Sequence, residues 1–310
     1  MQNLDPHERP PEAVRNMYKK YQKMKSTHLG ADADIMDIEA EPRLSLSEKV
    51  RVVRELETSR QADTFAAFAS GLHIIPSLLP PEIQVILMSR LLHRDLSNPL
   101  HLTNIHTHYK IKYPSPGSSF FSTAPTTTSN VVTPLDPMMH KPFSVFQLLD
   151  KKLRWTTLGG QYDWTAKQYP ETPPPAFPAD IKTLLESLFP ETKAEAAIVN
   201  LYSPGDTLSV HRDVAETSSH GLISISLGCD AIFVIGTDQK ILTLRLRSGS
   251  AVYMSGASRF AWHGVPQIVP ETCPQYLKDW PGTGDGAEFE IWKGWMEKKR
   301  VNLNVRQMWD

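Results

Sequence analysis

The chain has 310 residues, of which 40% are hydrophobic and 22% are charged, and its formal net charge is −1. This composition excludes wholesale disorder. The lack of any run of about 18 apolar residues argues against a membrane-spanning helix. Because the net charge is near zero, any nucleic-acid partner would have to be held by local basic patches. The two cysteines, Cys229 and Cys273, are too few for a disulfide framework or a cysteine zinc cage, as is typical of a reducing compartment.

Residues 1–45 are predicted to be an extended, mostly polar lead-in. Their acids and prolines argue against a secretory signal, so we expect an intracellular protein, in the nucleus or the cytoplasm first and the mitochondrion second. The basic and aromatic run at Tyr18 to Lys25 is either a solvated helix face or an arm that contacts nucleic acid. Residues 46–70 are predicted to be helical, because apolar residues recur there at helical spacing. These residues are Val50, Val53, Leu56, Phe65 and Phe68.

Two further helices are predicted between residues 80 and 190. Proline favours the first turn of a helix, and the pair Pro80-Pro81 precedes the apolar run EIQVILMSRLL. Residues 113–137, which are rich in Ser, Thr and Pro, predict a long surface loop, and the prolines of residues 169–178 predict another irregular connection. The segment DIKTLLESLF then carries apolar residues at i, i+3, i+4, i+7 and i+8, which predicts an amphipathic helix.

From residue 196 onward the hydrophobic period changes to two, which is typical of strands. Eight short apolar or alternating runs follow one another with turn residues between them: AAIVNLY, LSVH, LISISLG, AIFVIG, LTLRLR, SAVYM, FAWH and RVNLNVR. Such a series of short strands favours a β-sandwich or a jelly roll. The predicted fold class is therefore α+β, with N-terminal helices that support a C-terminal β core.

Two histidine-containing patterns carry weak signals. HRDL at His93 and HRDV at His211 resemble a kinase catalytic loop, but the chain has Leu100 where the first would need an asparagine, and it has neither a kinase Gly-rich loop nor a DFG triplet. The three histidines at positions 101, 106 and 108 are either a metal cluster or, as is more common, surface or supporting residues. Neither pattern predicts a function by itself.

The strongest signal combines His211, Asp213 and His263. The first two are two positions apart at the end of a predicted strand, so both side chains point to one face. His263 ends another predicted strand. Two histidines and one carboxylate form the facial triad of non-haem Fe(II) oxygenases, which leaves three coordination positions open. Arg259, close to His263, is either a surface residue or a brace for this site.

The last predicted strand, RVNLNVR, separates an apolar face from a polar one. The polar face carries Arg300, Asn302, Asn304 and Arg306. On a solvent-facing edge these would be ordinary surface residues, whereas inside a barrel the two arginines need anions. Arg forks bind carboxylates in a bidentate manner, so the strand could hold both ends of a five-carbon diacid. Asn200 and Tyr202, which alternate with apolar residues in an earlier strand, need the same kind of polar partner.

Four segments together resemble the AlkB-like 2-oxoglutarate- and Fe(II)-dependent dioxygenases: NLYSPGDTLSVHRD, SISLGCDAIFVIG, SGASRFAWHG and RVNLNVRQ. Upstream, RWTTLGGQYDW at Arg154–Trp164 is similar to the substrate lid of that family. This phrase and HRDVAE look most like the homologue-1 branch of the eukaryotic AlkB proteins. The resemblance implies a dioxygenase domain over residues 71–310, with a double-stranded β-helix (jelly-roll) core at 195–310 and a lid at 151–170. Residues 1–70 would be an extension, partly helical and partly irregular.

The resemblance also implies a role for each matching residue. The iron ligands would be His211, Asp213 and His263. The residues that hold 2-oxoglutarate would be Asn200, Tyr202, Arg300, Asn302 and Arg306. Trp155 and Tyr162 would line the base pocket, although composition alone favours packed core aromatics for both. Bacterial relatives place a carboxylate where this chain has Ala215, and the next residue, Glu216, is the acid usual in the homologue-1 branch and a candidate substrate residue.

The family implies Fe(II), 2-oxoglutarate and O2 as cofactor and cosubstrates, and a methylated base in nucleic acid as the substrate. Oxidation of an N-methyl group on a flipped base would release formaldehyde. We expect tRNA first and DNA second, and the sequence does not select among 1-methyladenine, 5-methylcytosine and N6-methyladenine. Basic residues that could hold phosphates are Lys151, Lys152, Arg154, Lys298 and Lys299.

Two other functional classes stay open. A protein hydroxylase or demethylase of the histone type would use the same iron site, and a non-catalytic nucleic-acid-binding protein would carry a degenerate one. The intact triad and both arginines argue against the second alternative. We expect a monomer without membrane attachment.

Overall fold

The computed structural model describes residues 4–40, 51–58, 61–68, 71–163, 168–237, 240–282 and 287–310. The α-helices are α1 (Glu12–Lys23), α2 (Ser26–Leu29), α3 (Pro81–Ser89), α4 (Val145–Gln147), α5 (Ala179–Leu188) and α6 (Gln275–Lys278). A π-helical turn extends α3 over Arg90–Asp95 and another extends α4 over Leu148–Lys152. The two helices predicted after Pro80 and within DIKTLLESLF are thus confirmed as α3 and α5. None of the helices in the described ranges is long and apolar enough to cross a bilayer.

The strands before residue 160 are β1 (Ile35–Met36), β2 (Arg51–Thr58), β3 (Gln61–Phe68), β4 (Leu72–Ile75), β5 (Tyr109–Ile111), β6 (Asn130–Pro134), β7 (Phe143–Ser144) and β8 (Trp155–Gly159). The later strands are β9 (Ala196–Tyr202), β10 (Leu208–His211), β11 (Leu222–Gly228), β12 (Ala231–Gly236), β13 (Ile241–Leu246), β14 (Ala251–Met254), β15 (Trp262–Ile268) and β16 (Arg300–Arg306). The eight predicted C-terminal strands are confirmed as β9 to β16, because alternating side chains on half-buried strands leave a clear period of two.

Two sheets position the site. The larger has the order β2-β3-β4-β14-β11-β16-β9-β8, and the smaller has the order β1-β13-β12-β15-β10. The short β1 pairs in parallel with β13, and the other pairs in both sheets are antiparallel. A third sheet, β5-β6-β7, is separate. The fold is therefore mixed α/β with antiparallel sheets, which is consistent with the predicted jelly-roll core.

The main apolar core draws side chains from both large sheets. The apolar face of β16, formed by Val301, Leu303 and Val305, is fully buried in it. On β12, Phe233 belongs to this core, whereas its neighbour Val234 belongs to a second cluster. Because successive strand residues point to opposite faces, the second cluster lies on the other side of the five-stranded sheet.

Helix α1 packs on that second cluster, which corrects the prediction of an extended N-terminal lead-in. Val14 and Tyr21 are fully buried and Tyr18 nearly so. Val14 and Tyr21 pack with side chains of β12 and with Trp262 of β15. The period-3.6 spacing of Val14, Tyr18 and Tyr21 places them on one face of the helix. Within the run Tyr18 to Lys25, the tyrosines therefore face the protein.

The helix predicted over residues 46–70 is wrong where the structure describes the chain. Residues 51–58 and 61–68 form the antiparallel pair β2 and β3, and β3 pairs with β4. Pairing with a neighbouring strand overrides a scattered apolar pattern. The rest of that range, including Val50, lies outside the described residues.

Residues 113–137 are not one continuous loop. They contain β6, which pairs with β5 and β7, and a helical turn at Phe120–Ser122. Phe120 and Phe121 of this turn are buried in the main core. The polar composition of the segment hid both elements, since its few apolar residues carry no period.

Candidate active site

The three predicted iron ligands converge at one edge of the five-stranded sheet. His211 ends β10 and lies directly opposite His263 of β15, and Asp213 follows two residues later. Nε2 of His211 lies 3.7 Å from Oδ1 of Asp213, and Nε2 of His263 lies 3.7 Å from Oδ2. One ligand atom from each residue lies within 4.8 Å of the others. Among the residues that the structure describes, no second group of three His, Cys, Asp or Glu side chains is placed in this way.

The backbone orients both imidazole rings. Nδ1 of His211 donates to the carbonyl oxygen of Ser209 at 2.9 Å, and Nδ1 of His263 donates to that of Ala261 at 3.0 Å. With Nδ1 protonated, each Nε2 presents a lone pair toward Asp213, which is the tautomer that a metal ligand needs. Burial lowers the pKa of His263 to about 4, so its ring is neutral near pH 7.

The carboxylate of Asp213 is ionised although its side chain is only 12% exposed. Burial alone would raise the pKa of this carboxyl, but Arg306 and the two histidines together lower it well below its usual range. Nη2 of Arg306 lies 3.2 Å from Oδ2 of Asp213. The site thus offers two imidazole nitrogens and one carboxylate on one side of a common point, and this donor set fits an Fe(II) ion with further positions open.

Next to the triad, neighbouring strands place polar side chains opposite one another. In the larger sheet, β16 lies between β9 and β11. The opposed sets are Tyr202 with Arg300, Asn200 with Asn302 and Ser226, and Asn304 with Ser224. Because directly opposed residues share a face, these side chains form one polar stripe, with the apolar face of β16 behind it. The structure therefore brings together all five residues predicted for 2-oxoglutarate.

Several buried polar atoms of this polar stripe have no hydrogen-bond partner among the residues that the structure describes. They are the hydroxyl of Tyr202, Nε of Arg300, Oδ1 of Asn304 and Nε of Arg306. The other nitrogens of Arg300 donate to Oγ of Ser226 at 2.8 Å and to the carbonyl of Cys229 at 3.3 Å, neither of which is an anion. Arg300 is only 1% exposed. A buried guanidinium needs an anionic partner, so the stripe fits a small diacid whose carboxylates lie near the two arginines.

Glu216 lies in a buried ion-pair network behind the triad. Its carboxylate accepts from Nη2 of Arg259 at 3.0 Å and from the hydroxyl of Tyr169 at 3.3 Å, and it lies 3.3 Å from Nη1 of Arg306. Arg259 also donates to the carbonyl of Asp213 at 2.9 Å. Of the two interpretations of Arg259, surface residue or brace, the contacts favour the brace, because its buried guanidinium joins Asp213 to Glu216.

A cavity of about 390 Å³ opens beside the triad. His211, Asp213 and Arg306 line its inner side, and Tyr162 and Glu216 also line it. The ring of Tyr162 packs edge-on against Tyr169, with centroids 5.2 Å apart. The cavity thus joins the triad to two of the three predicted substrate residues.

Trp155 is placed differently. It begins β8, the edge strand of the larger sheet, and lies opposite Asn200, so its side chain is on the face of the polar stripe. It is not among the described residues that line the cavity beside the triad. Its role in a base pocket stays a prediction.

The three histidines of the weaker pattern have local partners. Nδ1 of His101 lies 2.9 Å from the carbonyl of Asp95, and Nε2 of His106 lies 3.2 Å from the hydroxyl of Tyr113. His108 packs against the ring of His140. These contacts support the reading of this group as surface and supporting residues.

Lys299 is not a phosphate contact, which corrects one of the predicted basic residues. It is only 6% exposed, and its ammonium donates to the carbonyl of Asp150 and to Oγ of Ser203, each at 2.8 Å. Arg154 forms an ion pair with Asp206. A run of basic residues in the sequence does not reveal which of their side chains are buried in the protein.

Sequence reasoning missed Tyr169, which contacts Glu216 and Arg306 from a proline-rich segment. The signal was an isolated aromatic residue among prolines, which is weak by itself. It also missed Arg212 and Pro6, which lie at the same cavity. No local pattern connects these two, since the cavity that both of them line brings together residues far apart in the chain.

Comparisons with known proteins agree with this geometry. The profile of the 2OG-Fe(II) oxygenase superfamily matches residues 120–306. A Pyricularia oryzae protein named N6-methyladenosine RNA demethylase ALKB1 is 42% identical over 98% of this chain and 98% of its own. The Schizosaccharomyces pombe protein named tRNA demethylase abh1 is 40% identical over 77% of this chain and 80% of its own. The solved structure of OsALKBH1 aligns with a TM-score of 0.51 at 19% identity, covering 78% of this chain and 99% of that one, and supports the fold alone.

The fold and the triad define an oxygenase with a two-histidine, one-carboxylate metal site. The family profile and the relatives make the assignment specific: the chain belongs to the 2OG-Fe(II) oxygenase superfamily, and its similar relatives are AlkB homologue-1 proteins. The family implies Fe(II), 2-oxoglutarate and O2, and the predicted AlkB-like resemblance is confirmed.

Proposed function

We propose that this enzyme is an Fe(II)- and 2-oxoglutarate-dependent dioxygenase that demethylates methylated bases in nucleic acid, with tRNA favoured and DNA second. The observation that carries the proposal is the cavity that joins the triad to Tyr162 and to the arginine-bearing polar stripe. The substrate class is supported by relatives named RNA and tRNA demethylases, of which one is similar along almost its entire length.

On this proposal His211, Asp213 and His263 hold the iron. Arg306, which contacts Asp213, binds the carboxylate of 2-oxoglutarate nearer the metal, and Arg300 with Tyr202 binds the distal one. Bound iron, with 2-oxoglutarate and O2, supplies the oxidising power to hydroxylate a C–H bond. The protein orients the two histidines through backbone hydrogen bonds and keeps the carboxylate of Asp213 ionised.

On the substrate side, Tyr162 would stack on a base turned out of its strand, and Trp155 would extend the same aromatic surface at the sheet edge. Glu216 would contact the substrate base from the cavity wall, where Arg259 and Arg306 hold its carboxylate in place. A base ring is apolar on its faces and polar at its edge, which matches a cavity with an aromatic residue and a fixed acid.

Three further parts belong to the same proposal. We infer that the two antiparallel sheets form a double-stranded β-helix, as in a jelly roll. We propose that the protein acts as a monomer, which light scattering on the purified chain tests. We also propose a location in the nucleus or the cytoplasm, which microscopy of the tagged protein tests.

The proposal is tested by incubating the protein with Fe(II), 2-oxoglutarate and, in parallel, total tRNA, genomic DNA or histones. Mass spectrometry of nucleosides and peptides should show loss of a methylated nucleoside from tRNA, more than from DNA, with matching formaldehyde and succinate. Asp213→Ala should give none of these products. Modified histone peptides with unchanged nucleosides would contradict the proposal in favour of a protein hydroxylase.

A further inference from the structure

The segment from Leu4 to Glu8 lies at the mouth of the active-site cavity. Pro6 lines that cavity together with His211 and Asp213. Leu4 lines an adjoining cavity with Glu216. Helix α1 follows within four residues and is anchored by its own buried face. We call Leu4–Glu8 the N-terminal strap.

Arg212, which lines the same cavity, holds the N-terminal strap in place. Arg212 lies in sequence between two iron ligands, and its guanidinium packs over the ring of Trp262, 4.4 Å from the centroid. It forms an ion pair with Glu8 and donates to the carbonyl of Asp5 at 3.4 Å. Its Nε is buried and has no hydrogen-bond partner within the described part of the chain. The side chain of Arg212 is 10% exposed and that of Glu8 is 54% exposed. The guanidinium of Arg212 is therefore held in place by the protein, and the carboxylate that pairs with it comes from a largely solvent-exposed side chain.

Arg212 with Glu8 resembles a phosphate-binding site in which a carboxylate takes the place of the phosphate. A guanidinium fork binds carboxylates and phosphates in the same way, and stacking on an aromatic ring fixes its direction. Arg212 is an arginine at the cavity through which a nucleic-acid strand must approach the triad. Because an ion pair with an exposed acid contributes little free energy, a phosphodiester can replace Glu8 at small cost.

We propose that Arg212 is a phosphate-binding residue for the nucleic-acid substrate, and that Glu8 of the N-terminal strap occupies its anion position until the substrate displaces it. The strap is then an autoinhibitory contact that competes with substrate phosphate. This inference rests on the proposed function, because it requires a nucleic-acid substrate.

The test measures binding of a single-stranded RNA oligonucleotide carrying one N6-methyladenosine, by fluorescence anisotropy without oxygen, on the full chain with Fe(II) and 2-oxoglutarate. Glu8→Gln should lower Kd by roughly two- to fivefold, the range expected for release of an exposed ion pair. Glu12→Gln, which makes the same charge change in the exposed first turn of α1, is the matched control and should change Kd less. Succinate formation without nucleic acid should be the same in Glu8→Gln and the wild type.

Arg212→Gln should weaken binding and lower the salt slope by about one, because one phosphate contact is lost. Adding Glu8→Gln to Arg212→Gln should then give no further gain. If the wild type binds the oligonucleotide and Glu8→Gln binds no tighter than Glu12→Gln, the autoinhibitory role of Glu8 is overturned and the proposed function stands. If Arg212→Gln binds as tightly as the wild type with an unchanged salt slope, the phosphate-binding role of Arg212 is overturned and the proposed function again stands. If the wild type itself does not bind nucleic acid but consumes 2-oxoglutarate with another substrate, the proposed function falls and this inference falls with it.

Discussion

The proposed cosubstrate side and the proposed substrate side of the active site are built in different ways. The cosubstrate side lies on β9, β16 and β11, which are central strands with hydrogen-bonded neighbours on both sides. The substrate side combines the edge strand β8, the segment around Tyr169 and the N-terminal strap. Central strands fix side chains in register, whereas edges and loops depend on contacts that are distant in sequence. The cosubstrate side is thus set by pairing and the substrate side by tertiary contacts.

Removing one iron ligand should have the largest effect. We expect His263→Ala to abolish turnover while the fold persists, because two remaining ligands cannot hold the metal in a facial site. Iron content, succinate formation and the melting temperature on one preparation check this. His108→Ala, at a histidine outside the site, is the control and should keep both iron and activity. A folded His263→Ala protein that makes succinate at near wild-type rate would remove the triad assignment.

The cosubstrate side should respond next. We expect Arg300→Ala to raise the KM for 2-oxoglutarate by roughly two to four orders of magnitude, since breaking one side of a buried charge pair costs about 3–5 kcal/mol. Steady-state kinetics at varied 2-oxoglutarate measure this. Arg247→Ala removes an arginine that pairs with Asp37 away from the polar stripe, and it should leave that KM unchanged. Weaker RNA binding with an unchanged 2-oxoglutarate requirement would show that the diacid interpretation is wrong.

The buried network between the two sides should give a smaller effect, seen in stability. Arg259→Ala leaves Glu216 without one buried partner and should lower the free energy of unfolding by about 3 kcal/mol. Lys182→Ala breaks an exposed ion pair with Glu186 and should cost at most about 0.5 kcal/mol. Urea denaturation of both variants tests the difference. Equal losses would mean that the network adds nothing beyond a surface pair.

The aromatic residues of the substrate side should have the smallest effect on the iron chemistry. Tyr162→Ala and Trp155→Ala should each lose roughly 1–3 kcal/mol of base stacking and turn over methylated RNA poorly. Succinate formation without nucleic acid should survive, because both substitutions leave the three triad residues and the polar stripe in place. Turnover of methylated RNA, succinate formation without nucleic acid and the melting temperature are measured on the same preparation of each variant. A joint loss of stability, iron and uncoupled turnover would instead identify that residue as a core aromatic.

This contrast also explains how much could be predicted. The eight C-terminal strands and the polar stripe follow from local alternation, and the pair His211 and Asp213 follows from a short spacing, whereas the addition of distant His263 depends on the resemblance to a known family. Strands β2 and β3 could not be predicted, since their pairing partner decides their conformation. The contact between Arg212 and Glu8 joins residues about two hundred positions apart, and the burial of Lys299 depends on Asp150. Neither leaves a pattern in the neighbouring sequence.

The second apolar cluster has a consequence for local unfolding. Helix α1 is held by Val14, Tyr21 and the outer face of the five-stranded sheet, and these side chains are separate from the main core. Its undocking would expose only that small cluster, so the backbone amides of α1 should exchange with deuterium sooner than those of β16. The same event would carry Pro6 and Glu8 away from the cavity mouth. Hydrogen exchange in α1 therefore reports how often the entrance to the iron site stands open.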